Sequence, residues 1–373
     1  MRGTIRKRGN SWEWMRNAPP GYDRKYITGT RKTKREAAAA LAASIADHDR
    51  RQAIEPTRQL AVDYLAAWLE VRRLAVKPST WRSDADAVRL HLAPQLKGVK
   101  LTEVSGVHLA RTYEAMRTKG LSEKTVLNVH TSAHAAFAAA IKARFLTRNP
   151  CDEVQRPKPQ AVQMRTWSAV QLAAFLDYTA DDRLHTLWLI ASTTAMRRAE
   201  LLGLSWKDVD LDAHRVSVRW SRTSVGYVVE EGVPKSRRGT RVLDLDPIEV
   251  AALRRWRKRQ LEERLAWGAA WTDSALVFTR EDGTGLHPDA TSDTFERVLK
   301  GSGLPKIRLH DLRHTWATLT LRAGVSPKIV SERLGHATVA FTIDVYAHAI
   351  PGWGADAAAT FVRLVFGDGD GER

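Results

Sequence analysis

Three segments, far apart in the sequence, carry side chains that suit an oxyanion. The first is an Arg-x-x-Glu pattern that begins at Arg197, and the second is a His-x-x-Arg pattern formed by His310 and Arg313. These last two residues are one helical turn apart and therefore share a helix face. The third segment is Leu-Gly-His336, which Tyr346 follows ten residues later. Because a guanidinium donates paired hydrogen bonds to an oxyanion, the segments are candidates for one site.

The charge of the chain indicates a polyanionic partner. Its 373 residues include 59 Lys and Arg against 42 Asp and Glu, a formal net charge of +17. This balance favours nucleic acid or an anionic membrane surface. Residues 1–60 hold 14 basic and 6 acidic side chains, so +8 of that charge lies in this segment. We therefore expect it to be a phosphate-binding arm.

Composition excludes several classes of protein. Apolar residues make up 43% of the chain and charged residues 27%, so it can bury a core and does not have the composition of a disordered chain. No apolar run approaches the roughly 20 residues of a membrane-spanning helix, and the basic N-terminus lacks a signal peptide's apolar stretch. The single cysteine, Cys151, excludes an intramolecular disulfide and a cysteine-based zinc cluster. We expect a cytoplasmic protein without membrane contact.

The first half of the chain divides into a basic segment and a helical region. In residues 1–55, strand-like pieces near 12–15 and 25–28 precede an alanine-rich helix, which together predict a small sheet packed on a helix. A partly disordered basic tail is the alternative for this segment. Residues 56–155 have a helical pattern throughout, and one helix is predicted to begin with Ser79 or Thr80 as its N-cap.

The second half mixes helices with a small antiparallel sheet. A stiff, proline-rich linker is predicted at 156–164, followed by a domain over 165–366 and a disordered tail at 367–373. Within that domain Ser168 and Asp246 begin helices with capping boxes, and strands with a period of two lie between 214 and 245. The predicted fold class is therefore mainly α with small antiparallel β-sheets, an α+β arrangement.

At these residues the sequence resembles the tyrosine recombinases, the phage-integrase family. That family's pattern is Arg-x-x-Glu, a Lys in a β-hairpin, His-x-x-Arg, Leu-Gly-His, and a Tyr about ten residues after that His. Every element has a counterpart here in the same order, and the hairpin lysine would be Lys235. One departure is Ala195, which stands where the family often has Gly. The resemblance is strong over about 165–350, while 57–155 looks like the family's helical, SAM-like core-binding domain and 1–55 more loosely like its arm-binding domain.

The resemblance implies a site-specific DNA recombinase that integrates or excises a phage or other mobile element. Tyr346 would attack a phosphodiester and form a 3′-phosphotyrosyl intermediate, while the two arginines bind the phosphate oxygens. Lys235 would protonate the leaving 5′ oxygen, and the histidines would hydrogen-bond the phosphate or take the tyrosine proton. Since the adduct keeps the bond energy, neither ATP nor a metal nor another cofactor is expected. The implied catalytic residues are Arg197, Lys235, His310, Arg313, His336 and Tyr346.

The same resemblance implies the partners. These are duplex DNA with core-type and arm-type sites, further copies of the chain up to a tetramer in the synapse, and possible DNA-bending accessory proteins. The side chains predicted to contact DNA are Arg6, Lys7, Arg8, Lys32, Lys34, Arg35, Arg237 and Arg238.

Three other functions stay open. A DNA-binding regulator could keep the fold without the chemistry, and a type IB-like topoisomerase would share the chemistry without strand exchange. A zinc hydrolase is the third, because His310 and His314 superficially match the His-Glu-x-x-His pattern. Against zinc, Asp311 is shorter than the glutamate that would act as base, and Arg313 would place a cation beside the metal.

Overall fold

A computed structural model describes residues 3–17, 25–49, 58–160, 164–232 and 239–346, together with Phe361, Arg363 and Val365. The chain divides into two compact units, Met1–Ala161 and Val162–Arg373. This boundary falls inside the predicted linker 156–164, and the finer division into domains stays a prediction. Among the described residues, no helix combines the length and apolar character needed to cross a bilayer.

The first unit begins with a three-stranded antiparallel sheet and one helix. The sheet has the order β1 (Gly3–Arg8), β2 (Ser11–Asn17) and β3 (Tyr26–Arg31), and α1 (Lys34–Asp49) packs against it. Gly29 lies opposite Trp14 in the register, and a Cβ on Gly29 would lie within 2.8 Å of the indole nitrogen. The predicted sheet and helix are confirmed. Strand β1 was not predicted, because its basic residues do not alternate with apolar ones.

The rest of the first unit is helical, as predicted. Its helices are α2 (Ala61–Ala75), α3 (Pro78–Ala87), α4 (Ala93–Gln95), α5 (Gly106–Thr118) and α6 (Glu123–Lys142), with a π-helical turn at Val88–Leu92 and 3-10 turns at Leu101–Glu103 and Pro150–Glu153. Their apolar faces form one core that includes Leu65, Leu92 and Phe137. The prediction of Ser79 or Thr80 as an N-cap was wrong: Lys77 is the N-cap of α3, because Pro78 has the fixed φ that suits a first helical residue.

The second unit packs eight helices around small antiparallel sheets, counted over its described residues. The helices are α7 (Ala169–Tyr178), α8 (His185–Thr193), α9 (Arg198–Leu202), α10 (Pro247–Trp267), α11 (Pro288–Ser302), α12 (Asp311–Arg322), α13 (Pro327–Leu334) and α14 (Val339–Tyr346), with 3-10 turns at Trp206–Asp208 and Gly268–Ala270. Both predicted capping boxes are confirmed, at Ser168 before α7 and at Asp246 before α10.

Two separate sheets lie between α9 and α10. Strands β4 (Val209–Asp210), β5 (Arg215–Val218) and β8 (Arg241–Asp244) form one sheet in that order, while β6 (Ser221–Val225) and β7 (Val228–Gly232) form a hairpin. In the first sheet Val216 pairs with Leu243, and both side chains are buried in the main core of the unit. The predicted antiparallel strands are confirmed, and the β6–β7 hairpin is an addition.

Candidate active site

Five of the six predicted catalytic residues converge in the second unit. Arg197 is the N-cap of α9, His310 is the N-cap of α12, and Arg313 lies in the first turn of α12. His336 follows the end of α13, and Tyr346 is the last residue of α14. Hydrogen bonds from Arg197 and Arg313 to backbone oxygens link these elements to one another.

Three predicted residues lie outside the described residues. They are Lys235, Arg237 and Arg238, in the segment 233–238 between β7 and β8.

The turn between α8 and α9 depends on an unusual backbone conformation. Ala195 has a φ of 56°, in the left-handed region that costs a residue with a Cβ about 1 kcal/mol or more. Glycine, which has no Cβ, would adopt this φ without that cost. The turn directs the Ala195 carbonyl oxygen at Arg313, whose Nη1 donates a hydrogen bond to it over 2.6 Å.

Arg313 is a buried cation held by backbone oxygens. Its side chain is only 3% exposed, and besides the bond to Ala195 its Nη2 donates to the Leu334 carbonyl oxygen over 2.5 Å. Burial, and next the charge of Arg197, lower the pKa of Arg313 to about 9. The guanidinium of Arg313 therefore stays charged at neutral pH. Arg313 therefore joins the turn at Ala195, two residues before Arg197, to the end of α13, two residues before His336.

Arg197 lies nearer the surface and pairs with Glu200. Its side chain is 37% exposed, and its Nη1 donates to Glu200 Oε1 over 2.6 Å. Its Nη2 donates to the carbonyl oxygen of Gly335, directly before His336, over 3.2 Å. The exposed part of this guanidinium remains available to an anion from solvent, so Arg197 and Arg313 can act on the same phosphate.

Glu200 also binds a second arginine, Arg241, the first residue of β8. Arg241 donates from Nη2 to Glu200 Oε2 over 3.0 Å and from Nε to the Arg333 carbonyl oxygen over 2.7 Å. Burial of Glu200 acts to raise its pKa, but the hydrogen bond and charge of Arg241, with those of Arg197, outweigh it and hold that pKa below its usual range. Glu200 is therefore ionised between two arginines.

Tyr346 is fully buried, and its hydroxyl is hydrogen-bonded to His314, which is not among the predicted catalytic residues. Its side chain packs in a small cluster, and its Oη lies 2.7 Å from Nδ1 of His314. Burial raises the pKa of Tyr346 to about 12, although Arg313 and Arg197 act in the opposite direction. The cluster consists of Ala195, Ala317, Leu321, Val330, Leu334 and Tyr346.

The two predicted histidines occupy different positions around the arginines. His336 Nδ1 lies 2.8 Å from the Thr342 hydroxyl, and burial together with the charges of Arg313 and Arg197 lowers the pKa of His336 to about 4. His310 is partly exposed to solvent, and its ring meets that of His314 edge to face with centroids 5.0 Å apart. Partial desolvation of His310, together with the charges of His314, Arg313 and Arg197, lowers its pKa. Both imidazoles are therefore neutral at neutral pH.

No metal cluster is found in the part of the chain that the structure describes. There, no three His, Cys, Asp or Glu side chains are placed to hold one ion.

The predicted arm residues are exposed at the surface of the N-terminal sheet and helix. Arg6 and Arg8 both pair with Glu13, at 2.7 and 3.5 Å, and Lys34 lies over the Trp12 ring. Lys7, Lys32 and Arg35 are exposed as well.

Comparison with known proteins identifies the family. Residues 163–351 match the phage integrase family, and residues 62–117 match the phage integrase N-terminal SAM-like domain. The sequence is 28% identical over 322 residues to a "Tyrosine recombinase XerC-like" protein of Caldanaerobacter subterraneus subsp. tengcongensis, covering 81% of this chain and 82% of the relative.

Two solved structures have a similar fold. One is the Tn1549 transposon integrase in complex with a circular intermediate DNA, with a TM-score of 0.70, 22% identity, and coverage of 82% of this chain and 99% of that one. The other is a lambda integrase tetramer bound to a Holliday junction, with a TM-score of 0.58, 15% identity, and coverage of 90% and 94%.

The chain belongs to the phage integrase family. The predicted fold class and the predicted enzyme class, a tyrosine-type site-specific DNA recombinase, are thereby confirmed. The roles of individual site residues remain predictions.

Proposed function

We propose that the chain cuts and rejoins DNA at specific sites with Tyr346 as the nucleophile, and so integrates or excises a phage or other mobile element. The observation that carries this proposal is the convergence of a tyrosine hydroxyl with two arginines from different elements. Transfer of a phosphodiester needs a nucleophile and cations that stabilise the charge on the phosphate oxygens. Arg197 and Arg313 supply the cations, and Tyr346 supplies the nucleophile.

The chemical step requires no cofactor for its balance. Tyr346 Oη gives up its proton to a histidine of the site and forms a bond to phosphorus while the bond from phosphorus to the 5′ oxygen breaks, and that oxygen takes a proton from Lys235. The product is a 3′-phosphotyrosyl adduct with a free 5′-hydroxyl. Attack by a 5′-hydroxyl from the partner duplex reverses these bonds and releases Tyr346.

Tyr346 must become accessible before it can react with DNA. Tyr346 has 0% of its surface exposed, so no phosphate can reach its hydroxyl in the described conformation. The DNA-free chain therefore keeps its nucleophile covered, which would protect DNA from cutting before a complex has formed.

The partners we propose are duplex DNA and further copies of the chain. In the solved structures that resemble this fold, lambda integrase is a tetramer bound to a Holliday junction, and the Tn1549 integrase is bound to a circular intermediate DNA. We propose two protomers on inverted half-sites, four in the synapse, and accessory proteins that bend the DNA. A DNA substrate and a single cysteine, buried and unpaired, support a cytoplasmic location.

A nicked duplex tests the proposal. Footprinting of DNA from candidate element ends defines the site, and a nick close to the cleavage point lets the short strand diffuse away, so that the covalent complex accumulates. We expect an adduct with the wild type and none with Tyr346→Phe. Tyr178→Phe, which changes an exposed tyrosine of the same unit, should form as much adduct as the wild type.

The same assay separates the alternatives. Absence of an adduct with the wild type would favour a DNA-binding regulator, whereas relaxation of supercoiled DNA without strand exchange would favour a topoisomerase.

A further inference from the structure

The hydroxyl of Tyr346 meets a histidine that the family pattern leaves without a role. His314 lies on α12, one turn after His310 and directly after Arg313. Its Nδ1 is 2.7 Å from Tyr346 Oη, a normal hydrogen-bond distance. The tyrosine is fully buried and His314 is half-buried, so bulk water does not compete for this contact.

A tyrosine in this setting needs a group that takes its proton. Because burial raises the pKa of Tyr346 to about 12, its phenol is protonated at neutral pH. Attack by the neutral phenol would leave the proton on an oxygen that is becoming positive. The proton must therefore leave during the attack, and the acceptor must be within hydrogen-bond reach.

The two histidines named by the pattern are placed elsewhere. His336 Nδ1 is hydrogen-bonded to Thr342, while the His310 ring meets the His314 ring edge to face at 5.0 Å between centroids. In the described part of the chain, no hydrogen bond joins either of them to Tyr346. His314 is the imidazole that touches the reacting atom.

We propose that His314 is a catalytic residue whose Nδ1 accepts the hydroxyl proton of Tyr346 as Oη attacks phosphorus. The O–H bond breaks and an N–H bond forms on His314, while the new O–P bond forms and the P–O5′ bond breaks. The leaving oxygen takes a different proton, from Lys235. The inference rests on the proposed function, because it assigns a group to the same cleavage step.

The surroundings of His314 keep its imidazole neutral and able to accept a proton. Burial, and the charges of Arg313 and Arg308, lower its pKa, and Asp311 acts in the opposite direction. On its other sides it faces His310 and the Tyr346 hydroxyl. With its pKa below the usual value, His314 is available as a base at neutral pH and is lost as a base at acid pH.

His314→Asn is the sharpest test, measured as single-turnover formation of the covalent adduct between pH 5 and 10. The amide of Asn can hydrogen-bond where Nδ1 lies but cannot take up a proton. We expect adduct formation at pH 7 to slow by about 10²- to 10⁴-fold with unchanged DNA affinity. The rate of H314N should then rise about tenfold per pH unit at alkaline pH, because the phenol must ionise without help. The wild type should lose activity only at acid pH.

A sulfur atom in the DNA substrate distinguishes the role of His314 as a base from that of Lys235 as the acid that protonates the leaving group. A DNA strand with sulfur in place of the 5′ bridging oxygen needs no proton on its leaving group. We expect H314N to stay slow on this substrate and Lys235→Ala to regain rate. His214→Asn is the matched control, because His214 is an exposed histidine of the same unit with a φ of 52° that Asn tolerates, and it should behave as the wild type.

Each outcome decides the inference. Adduct formation by H314N at the wild-type rate with the wild-type pH profile would overturn it, as would faster cleavage by His314→Ala, the result expected of a contact that only restrains the nucleophile. If H314N unfolds, His314→Gln provides the same comparison. Failure of the wild type to form any adduct would instead overturn the proposed function itself.

Discussion

At the residue scale, Glu200 is the group on which both surrounding arginines depend. Its side chain is 2% exposed and accepts hydrogen bonds from Arg197 and Arg241. Without its charge, two guanidinium groups would lie close together with no anion between them, near the third charge of Arg313. Breaking a buried ion pair from one side is costly because the remaining charge stays buried.

We predict that Glu200→Gln lowers the free energy of unfolding by about 3–5 kcal/mol, measured by urea denaturation at pH 7. The stabilisation should be complete above the usual carboxyl pKa and be lost as the pH falls through the lowered pKa of Glu200. Glu296→Gln, which removes an exposed partner of Lys306, should cost less than about 1 kcal/mol. Equal stability of E200Q and the wild type would show that Glu200 does not hold the two arginines.

At the element scale, Arg241 joins the sheet to the helices that carry the site. It begins β8, three residues after the segment 233–238, and it donates to Glu200 in α9 and to the last turn of α13. Its side chain is 8% exposed, so it is not a surface phosphate contact in the described conformation. We propose that it is a positioning residue, which holds Glu200 and the end of α13 in place beside Arg197 and His336.

Arg241→Lys tests this assignment. A lysine has the charge but not the planar fork that reaches Glu200 and the Arg333 carbonyl together. We expect adduct formation to slow by about 10- to 100-fold, from the loss of one or two charged hydrogen bonds, with unchanged affinity for uncleaved DNA. Arg215→Lys, an exposed arginine of the same sheet, is the control and should keep the wild-type rate. A loss of DNA affinity without a change in the cleavage step would contradict the assignment.

The sequence predicted elements whose signals are local. The capping boxes at Ser168 and Asp246 involve groups only three residues apart, and both helices begin where these residues indicate. The hairpin of β6 and β7 was missed because its residues are mostly polar, and its register depends on pairing rather than on burial. Local patterns of apolar and polar residues identify elements with one apolar face. They do not identify strands whose two faces have similar polarity.

The same limit applies to the site. Motif spacing identified five residues that do converge, because the family pattern records them. The contact between His314 and Tyr346 joins residues 32 positions apart, and the ion pair of Glu200 and Arg241 joins residues 41 apart. In the sequence, His314 stood out only through its coincidental spacing from His310. Such tertiary contacts depend on how α9, α12 and α14 pack, which no local pattern specifies.

At the scale of the whole molecule, the basic residues behind the net charge of +17 fall into two groups, one expected to bind DNA and one in the candidate active site. Arg197 and Arg313 are part of the candidate site, whereas the arm residues are exposed on a separate small sheet and helix. Arg6 and Arg8 share one carboxylate, Glu13, and DNA phosphates would compete with it.

We predict that changing both Arg6 and Arg8 to Ala reduces the slope of log affinity against log salt by about two, at about 0.9 per phosphate contact. Binding isotherms on arm-type DNA from 50 to 200 mM salt measure this slope. Changing both residues to Lys keeps the charge and should leave the slope unchanged. An unchanged slope in the alanine variant would show that this strand does not bind phosphate.

The central claim is that Tyr346 becomes covalently joined to DNA. Its most direct test is digestion of the purified adduct with protease and nuclease, followed by mass spectrometry of the peptide that retains a nucleotide. We predict a 3′-linked nucleotide on Tyr346 and on no other residue. A nucleotide on a different side chain, or linkage through a 5′ phosphate, would contradict the account.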